Sequence, residues 1–295
     1  MKQFLLCFFF TGSLLIAQVP DSDIWIFELG KTEKGIILKQ GYNATNQPGY
    51  DNQPYFTPDN RFMLFTSIRG GVQSDIYKLD LRSRKISQVT QTEISEYSPS
   101  VTPDGKFVSV VVVETDSAQH LRKFIYVSKD NKGTVKQQDE QLVGFNLDSV
   151  GYYAWLNTDT VLYYKLTQPH SLWIYTVSDS GDVFFADDPS RSFKLCGYKS
   201  FFYHIKQNDK NQLRKYDWRI RQSLIITEHD VDTEDFVWNK SLGFLKSDFS
   251  KLMRWDAETA MWLELAELNS FGIRKITRFA FSENGRWLAV VSNKE

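Results

Sequence analysis

A ten-residue phrase occurs twice in the sequence, 45 residues apart. It reads Gln-Pro-Tyr-Phe-Thr-Pro-Asp-Asn-Arg-Phe over residues 53–62 and Ser-Pro-Ser-Val-Thr-Pro-Asp-Gly-Lys-Phe over residues 98–107. In each copy a short apolar segment leads into a Thr-Pro-Asp turn sequence, and a second apolar segment follows. Self-similarity at this spacing indicates a repeat architecture, and strands joined by tight turns favour a β-propeller.

Weaker copies of the phrase continue the repeat along the chain. They lie at residues 153–162, 193–202, 236–244 and 279–288. Two further alternating segments follow each copy except the last, which completes the four strands that a propeller blade needs. The sequence therefore predicts an all-β fold, a six-bladed β-propeller.

The two ends of the sequence predict how the ring closes. The last copy supplies only two strands, over residues 279–292, before the chain stops. The segment 23–39 begins Asp-Ile-Trp-Ile-Phe-Glu-Leu, which is similar to the third-strand segment at 75–81. We expect the amino-terminal strands 23–39 to pair with the carboxy-terminal strands 279–292, which would protect the strand edges of an open ring.

The turns themselves have a predicted chemistry. Asp59, Asp104 and Asp159 fall in them, where an aspartate carboxylate can accept hydrogen bonds from nearby backbone N–H groups. Gly105 and Gly285 are expected at positive φ, which glycine adopts readily. We therefore interpret these aspartates as structural and not as acid catalysts.

The amino terminus has the pattern of a secretory signal peptide. Lys2 precedes an apolar run from Phe4 to Ala17, and the run is shorter than the roughly 20 residues that a membrane span needs. The expected organisation is a signal peptide at 1–18 and a propeller at 19–295. The sequence thus predicts a periplasmic or secreted protein without a transmembrane segment.

Charge and cysteine content limit the partners. The formal net charge of the chain is −1, whereas a nucleic-acid-binding protein would present a basic face, so no nucleic-acid partner is expected. Cys196 is the only cysteine beyond the signal segment, which excludes an intramolecular disulfide in the mature chain.

The phrases at 54–62 and 98–107, each followed by an Ile-Tyr strand at 76–77 or 125–126, resemble the propeller repeats of the bacterial TolB family. TolB proteins carry an extra domain ahead of the propeller. Here the first strand begins at Asp23, so we expect a TolB-like propeller without that domain. The resemblance implies a fold and a compartment.

No sequence motif predicts catalysis. Gly-x-Ser-x-Gly, Walker, Rossmann and His-Glu-x-x-His sequences are absent from the sequence. We therefore expect a non-enzymatic module that binds a protein or a cell-envelope component. The alternative is a glycan- or peptide-acting enzyme, a lyase or hydrolase, with a metal or carboxylates at the channel mouth.

Three histidines could support that alternative. His120, His170 and His229 are expected in loops on one face of the ring, where they could converge on a metal. No short ligand spacing joins them, so we interpret them as surface loop residues and predict no metal and no cofactor. His204 is expected inside a strand. The acidic run 228–235 is interpreted as a solvated loop and not as a calcium site.

The predicted binding site lies at the mouth of the central channel, because loops on a rigid scaffold are where binding usually occurs. Six side chains in the polar loops have groups that can bind a ligand: Asp51, Arg69, Glu96, Tyr97, His120 and His170. Asp51 and Glu96 precede equivalent inner strands, so they could instead join neighbouring blades by hydrogen bonds.

Overall fold

The computed structural model describes residues 20–32, 35–71, 73–127, 134–197, 199–230 and 235–294. The predicted signal peptide lies outside them. Strands β1 (Ser22–Thr32) and β2 (Gly35–Asn43) come first. Blade 1 contains β3 (Asp51–Phe56), β4 (Phe62–Ile68), β5 (Ser74–Asp80) and β6 (Ile86–Gln88). Blade 2 contains β7 (Ser95–Val101), β8 (Phe107–Val113), β9 (Gln119–Val127) and β10 (Thr134–Leu142).

The remaining blades repeat this order. Blade 3 contains β11 (Val150–Asn157), β12 (Thr160–Lys165), β13 (Ser171–Thr176) and β14 (Gly181–Asp187). Blade 4 contains β15 (Pro189–Leu195), β16 (Ser200–Gln207), β17 (Lys210–Asp217) and β18 (Gln222–Asp230). Blade 5 contains β19 (Phe236–Asn239), β20 (Gly243–Asp248), β21 (Lys251–Asp256) and β22 (Met261–Glu267), followed by a 3-10 turn at Asn269–Phe271.

The sixth sheet joins the two ends of the chain. Strands β23 (Arg278–Phe281) and β24 (Trp287–Asn293) combine with β1 and β2 in the order β2-β1-β24-β23. Strand β1 pairs antiparallel with β24 from Ser22 opposite Asn293 to Glu28 opposite Trp287. We call this sheet the closing blade. The prediction of a six-bladed β-propeller closed by its ends is confirmed.

The core is divided among the interfaces between blades. Within the described residues, six buried apolar clusters each join one pair of neighbouring blades. Strand β4 shows why: Met63 and Phe65 pack toward the closing blade, whereas Leu64 packs toward blade 2. Since successive side chains of a strand point to opposite faces, an inner strand between two blades must be apolar on both. The ring is therefore held by side chains that no single blade can bury alone.

The turns after the inner strands share one hydrogen-bonding pattern. The Thr102 hydroxyl lies 2.7 Å from an Asp104 carboxylate oxygen, which also accepts the backbone N–H of Lys106 at 3.1 Å. The same bonds recur at Thr57 with Asp59 and at Ser282 with Asn284. The residue after the acidic or amide side chain has positive φ, 57° at Asn60, 71° at Gly105 and 68° at Gly285. The turn at Asp159 differs, because Asn157 Oδ1 accepts the backbone N–H of Asp159 at 2.8 Å, while the Asp159 carboxylate accepts the backbone N–H of Ser178, 19 residues later, at 2.8 Å. The predicted turn chemistry is therefore present at Asp59 and Asp104 and not at Asp159.

Candidate functional site: the central channel

The central channel has two mouths of different construction. Since neighbouring strands within a blade are antiparallel, the segments that enter the inner strands share one end of the ring with the connections from second to third strands. We call this end the loop mouth. The turns that follow the inner strands, such as 102–106, surround the other end, the turn mouth.

The channel contains a cavity of about 680 Å³ to which all six inner strands contribute. Polar and charged side chains line part of this cavity, and in ligand-binding cavities such groups fix the orientation of the ligand. They come from blades that lie far apart in the sequence: Gln53, Ser98, Tyr152, Arg191, Lys194, Asp235, Arg278 and Glu283.

Two arginines converge on one aspartate at the loop mouth. Arg191 in β15 binds Asp235 with both arms of its guanidinium, Nε to Oδ1 at 2.8 Å and an Nη to Oδ2 at 3.0 Å. Arg278, the first residue of β23, approaches from the next blade with its Nε 3.5 Å from Oδ2 of Asp235. The same Nη of Arg191 also donates to the Thr277 carbonyl oxygen at 3.0 Å. This cluster ties blades 4 and 5 to the closing blade.

The cluster has more positive than negative charge. Burial tends to raise the pKa of the Asp235 carboxyl, but Arg278 and Arg191 outweigh it, so the pKa is lowered and the group stays ionised. Lys194 lines the same cavity, and its side chain reaches solvent although protein surrounds it. That surrounding protein lowers the pKa of Lys194, with Asp235 opposing the shift and Arg278 adding to it. Among the described residues, the guanidiniums of Arg191 and Arg278 thus contact the same carboxylate, and Lys194 adds a third amine or guanidinium group to the cavity lining, which favours an anion there.

Tyrosines surround the arginines. The Arg278 guanidinium lies over the Tyr152 ring, 5.5 Å from its centroid. Burial raises the pKa of Tyr50 to about 12, with Arg278 opposing the shift and Tyr152 and Tyr97 adding to it. The neighbourhood therefore holds several tyrosine side chains near the guanidiniums. Tyrosine offers both an apolar ring and a hydroxyl, which suits a surface that contacts a partner.

Two bulges shape the inner wall below the mouth. Gln53 and Ser98 have positive φ of 56° and 53°, and the pairing registers of β3 and β7 shift there. The Gln53 amide oxygen accepts the Ser98 backbone N–H at 2.8 Å and the Thr66 hydroxyl at 2.7 Å. A non-glycine residue at positive φ is strained, so these bonds hold an unfavourable backbone in place. Such strain and bulging are common beside functional sites.

Hydrogen bonds fix the wall between blades 2 and 3. The Tyr153 hydroxyl lies 2.7 Å from the Ser109 carbonyl oxygen and 3.0 Å from the Ser98 carbonyl oxygen, and it accepts from the Ser100 hydroxyl at 3.0 Å. The Trp155 indole N–H donates to the Ser109 hydroxyl at 2.9 Å. Burial raises the pKa of Tyr153 above its usual range. These hydrogen bonds hold Tyr153 and Trp155 in place, so we interpret both side chains as structural.

Asp51 and Arg69, two of the predicted site residues, lie together in blade 1. The Asp51 side chain is buried and accepts the Ser67 hydroxyl at 2.6 Å. The Arg69 guanidinium lies 3.6 Å from Asp51 and 4.6 Å from the centre of the Tyr77 ring. Burial raises the pKa of Asp51, while Ser67 and Arg69 oppose the shift. These side-chain partners lie in blade 1 itself, and the link to the closing blade is made by the backbone, since the Ser22 hydroxyl donates to the Asp51 carbonyl oxygen at 3.0 Å.

Glu96 is fully buried, with none of its surface exposed. Its Oε1 accepts the Thr92 hydroxyl at 2.7 Å, and its backbone carbonyl accepts the Ser74 hydroxyl of blade 1 at 3.0 Å. The side chain therefore lies between blades and not in the channel cavity. Tyr97, the next residue, is partly buried and packs against the apolar cluster between blades 2 and 3. It also contributes to the raised pKa of Tyr50 at the loop mouth.

The four histidines are distributed over blades 2, 3 and 4. The sequence predicts a loop at His120, but His120 lies in β9 opposite Val112. His170 directly precedes β13, and its ring lies 5.0 Å from that of Tyr164. The sequence predicts a loop at His229, but β18 continues to Asp230 and the His229 side chain is buried there. It packs 4.9 Å from His204, which lies in β16 as predicted. Within the described ranges, no group of three or more His, Cys, Asp or Glu side chains could hold a metal ion.

The sequence prediction does not include Arg191, Asp235 and Arg278. One signal was available, since Asp235 directly precedes β19, Arg278 begins β23 and Arg191 is the third residue of β15. The starts of these inner strands surround the loop mouth. The sequence pattern favours an acidic loop around Asp235, of which residues 231–234 lie outside the described chain. Whether the six predicted side chains contact a partner stays a prediction.

No protein-family model matches the chain. Curated relatives include the Tol-Pal system protein TolB of Francisella tularensis subspecies tularensis and mediasiatica, each 28% identical over 86 residues. That match covers 29% of this chain and 18% of either relative. The aligned part is therefore less than a fifth of the relatives' length.

Solved structures match over most of the chain. A protein assigned as a TolB candidate from Agrobacterium tumefaciens is 14% identical, with a TM-score of 0.66 over 94% of this chain and 99% of that one. A chain of a nidogen–laminin complex gives 0.61 at 6% identity, covering 92% and 98%. An oligogalacturonate lyase in complex with manganese gives 0.56 at 11% identity, covering 86% and 80%. The chain has a TolB-like propeller fold, and these likenesses show the fold alone.

Among the residues that the structure describes, no helix is long and apolar enough to cross a membrane.

Proposed function

We propose that this chain is an exported, non-enzymatic binding module that captures an acidic segment of a protein partner at the loop mouth. The observation that carries the proposal is the convergence of Arg191 and Arg278 on the carboxylate of Asp235, with Lys194 in the lining of the same cavity. Guanidinium groups bind carboxylates with directed pairs of hydrogen bonds, and a concave wall strengthens the attraction. The nearby tyrosines offer apolar contact to the rest of the segment.

The charge arrangement is better suited to binding than to acid–base catalysis. Among the described residues that line the cavity, the carboxylates are Asp235 near the loop mouth and Glu283 in a turn at the other end. A general acid needs a raised pKa, whereas the two arginines lower the pKa of Asp235. Among the described lining residues, Asp235 therefore has no second carboxylate beside it at the loop mouth, and a glycan-acting alternative would depend on such a pair.

Fluorescent peptides of equal length and acidic, neutral or basic composition provide the test, with anisotropy as the measurement. The acidic peptides should bind most tightly, and their affinity should fall as salt rises. Arg278→Gln keeps a polar side chain but removes the charge, so it should weaken acidic-peptide binding at least fivefold.

Arg219→Gln is the matched control, because Arg219 pairs with Asp217 on the outside of blade 4. It should leave binding unchanged. Equal affinity for all three peptide classes, or equal losses in both variants, would contradict the proposal. Tighter binding of an acidic saccharide than of every acidic peptide would show that the site binds a different class of ligand.

A further inference from the structure

A second concave site lies outside the channel, between the closing blade and blade 1. It is a cleft of about 570 Å³ on the side of the ring that carries the turn mouth. Four arginines line it, together with two carboxylates: Arg61, Arg82, Arg84, Arg286, Glu28 and Asp80. The cleft therefore has two positive charges more than its own acidic groups can balance.

The two carboxylates already have partners. Glu28 pairs with Arg286, whose Nε and one Nη lie 3.2 and 3.1 Å from its Oε1. Asp80 accepts the backbone N–H groups of Arg82 and Ser83 at 3.0 and 2.8 Å. These backbone bonds and Arg61 lower the pKa of Asp80 against the effect of burial. Both carboxylates are engaged locally, and in the described chain neither pairs with the guanidinium of Arg82 or Arg84.

Aromatic rings hold three of the guanidiniums. Arg84 lies over the Tyr42 ring, 4.3 Å from its centroid, Arg286 lies 5.1 Å from the centre of the Trp287 ring, and Arg61 lies 5.3 Å from that of Phe62. Since Arg286 also pairs with Glu28, the proposal uses Arg84, whose stacking on a ring leaves the N–H edge of its guanidinium for a ligand. Arg84 has positive φ of 60°, so the turn that carries it is held in an uncommon conformation.

A buried hydroxyl lacks a hydrogen bond in the same cleft. Within the described chain the Tyr42 hydroxyl is buried and has no hydrogen-bond partner. Burial raises the pKa of Tyr42, so the group stays protonated and can donate. Unsatisfied buried polar groups are uncommon and call for an explanation. An acceptor atom of a bound ligand would supply the missing bond.

We propose that this cleft binds a phosphate or sulfate group, with Arg82, Arg84 and the Tyr42 hydroxyl as donors. A tetrahedral dianion matches the excess of two charges and offers several acceptor oxygens to donors that converge from different directions. The cleft joins the closing blade to blade 1. The bound anion therefore also fastens the ring at its closure, and the proposal is independent of the channel.

Inorganic pyrophosphate is the probe, measured by calorimetry at fixed ionic strength with chloride as reference. The protein should bind pyrophosphate, Arg84→Gln should raise Kd at least tenfold, and Tyr42→Phe should raise it severalfold. Circular dichroism and melting temperature establish that each variant is folded. Arg219→Gln should retain wild-type affinity, and the channel variant Arg278→Gln should lose much less affinity than Arg84→Gln, which separates this site from the loop mouth.

A parallel arm uses vesicles of phosphatidylglycerol in phosphatidylcholine against phosphatidylcholine alone. Vesicle binding without pyrophosphate binding, lost in Arg84→Gln, would support the anion site and identify a lipid headgroup as the source. Absence of binding in both arms would overturn the proposal. Losses of equal size in Arg84→Gln and Arg278→Gln would overturn it as well.

Discussion

Lys294 forms an ion pair with Asp23, its Nζ 3.0 Å from the aspartate Oδ1, and so joins the end of β24 to the beginning of β1. It also lies 3.2 Å from Asp21 and donates to the Gln47 carbonyl oxygen. The Asp23 side chain is only 6% exposed and accepts the Asn43 amide at 2.7 Å. The ammonium thus neutralises a buried carboxylate at the point where the ring closes.

Replacing Lys294 by methionine should weaken closure. The change keeps most of the apolar stem but leaves the Asp23 carboxylate without its cation, so the free energy of unfolding should fall by about 1–2 kcal/mol. Urea unfolding of both proteins measures it. Lys251→Met is the matched control, because Lys251 pairs with Glu264 on the surface with both side chains well exposed. The closure role would be contradicted if both variants lost the same stability.

The fold was predictable because its signals are local. Thr57, Thr102 and Ser282 make the same bonds within five residues of sequence, and a turn whose bonds are all local repeats wherever its residues repeat. The pairing of β1 with β24 spans the whole chain. It was still predictable, because the missing outer strands of one blade left the segment 23–39 as the available partner.

The channel cluster could not be predicted in the same way. Arg191, Asp235 and Arg278 lie 44 and 43 residues apart and meet only because three inner strands converge on the axis. Glu96 and Asp51 were identifiable from their position before inner strands. Their positions in the strands do not identify their partners: the Asp51 side chain contacts Ser67 and Arg69 of its own blade, whereas the Glu96 side chain is fully buried beside Thr92. At His229 the sequence favours a loop because the acidic residues after it obscure the continuation of β18.

Gly285 should tolerate asparagine better than alanine. Its φ of 68° is unfavourable for a side chain, whereas the space that a Cβ atom would occupy has no neighbouring atom within 4 Å, so backbone strain alone opposes substitution. Gly285→Ala should cost about 1 kcal/mol. Gly285→Asn should cost less, since Asn60 occupies the equivalent position at φ 57°. Thermal unfolding gives the comparison.

Gly71→Ala controls for the loss of a glycine as such. Gly71 has open surroundings and its φ lies outside the positive range, so alanine there should leave stability unchanged or slightly higher. Equal costs of alanine and asparagine at residue 285 would contradict the shared turn geometry.

Glu96 should make the protein less stable as pH rises toward neutrality. Burial raises the pKa of its carboxyl from 4.5 to about 7, although hydrogen bonds from Thr90 and Thr92 oppose the shift. Between these values the unfolded chain has released the proton and the folded chain keeps it, so stability falls as pH rises from about 4.5 to 7 and then levels off. The whole decline is at most about 3 kcal/mol.

Glu96→Gln removes the titration and keeps the shape, so that decline should largely disappear and the variant should gain stability relative to wild type at pH 8. Urea unfolding at pH 5, 6, 7 and 8 provides the measurement. Glu93→Gln, at an exposed position three residues earlier, should keep the wild-type profile. A Glu96→Gln profile parallel to wild type would show that another group causes the pH dependence.

Asp235→Asn should destabilise the ring and make its stability depend on an anion bound at the loop mouth. The variant leaves Arg191 and Arg278 facing each other beside Lys194, with no carboxylate between them. The expected loss at pH 7 is about 2 kcal/mol, below the value for fully buried pairs because both arginines retain some solvent contact. The lowered pKa of Asp235 means that wild type holds this stabilisation above pH 4. It is lost as pH falls through the folded pKa, so the two proteins should converge in acid.

Sulfate at constant ionic strength should restore part of the loss in Asp235→Asn, because an anion can take the place of the carboxylate between the two guanidiniums. The same sulfate should change wild type less, since Asp235 already occupies that position. Glu283→Gln, at the opposite end of the cavity, is the control and should show neither the loss nor the rescue. Melting temperatures with sulfate and with chloride measure both effects. An Asp235→Asn protein as stable as wild type, or equally stable in both salts, would show that the arginines do not form an anion site.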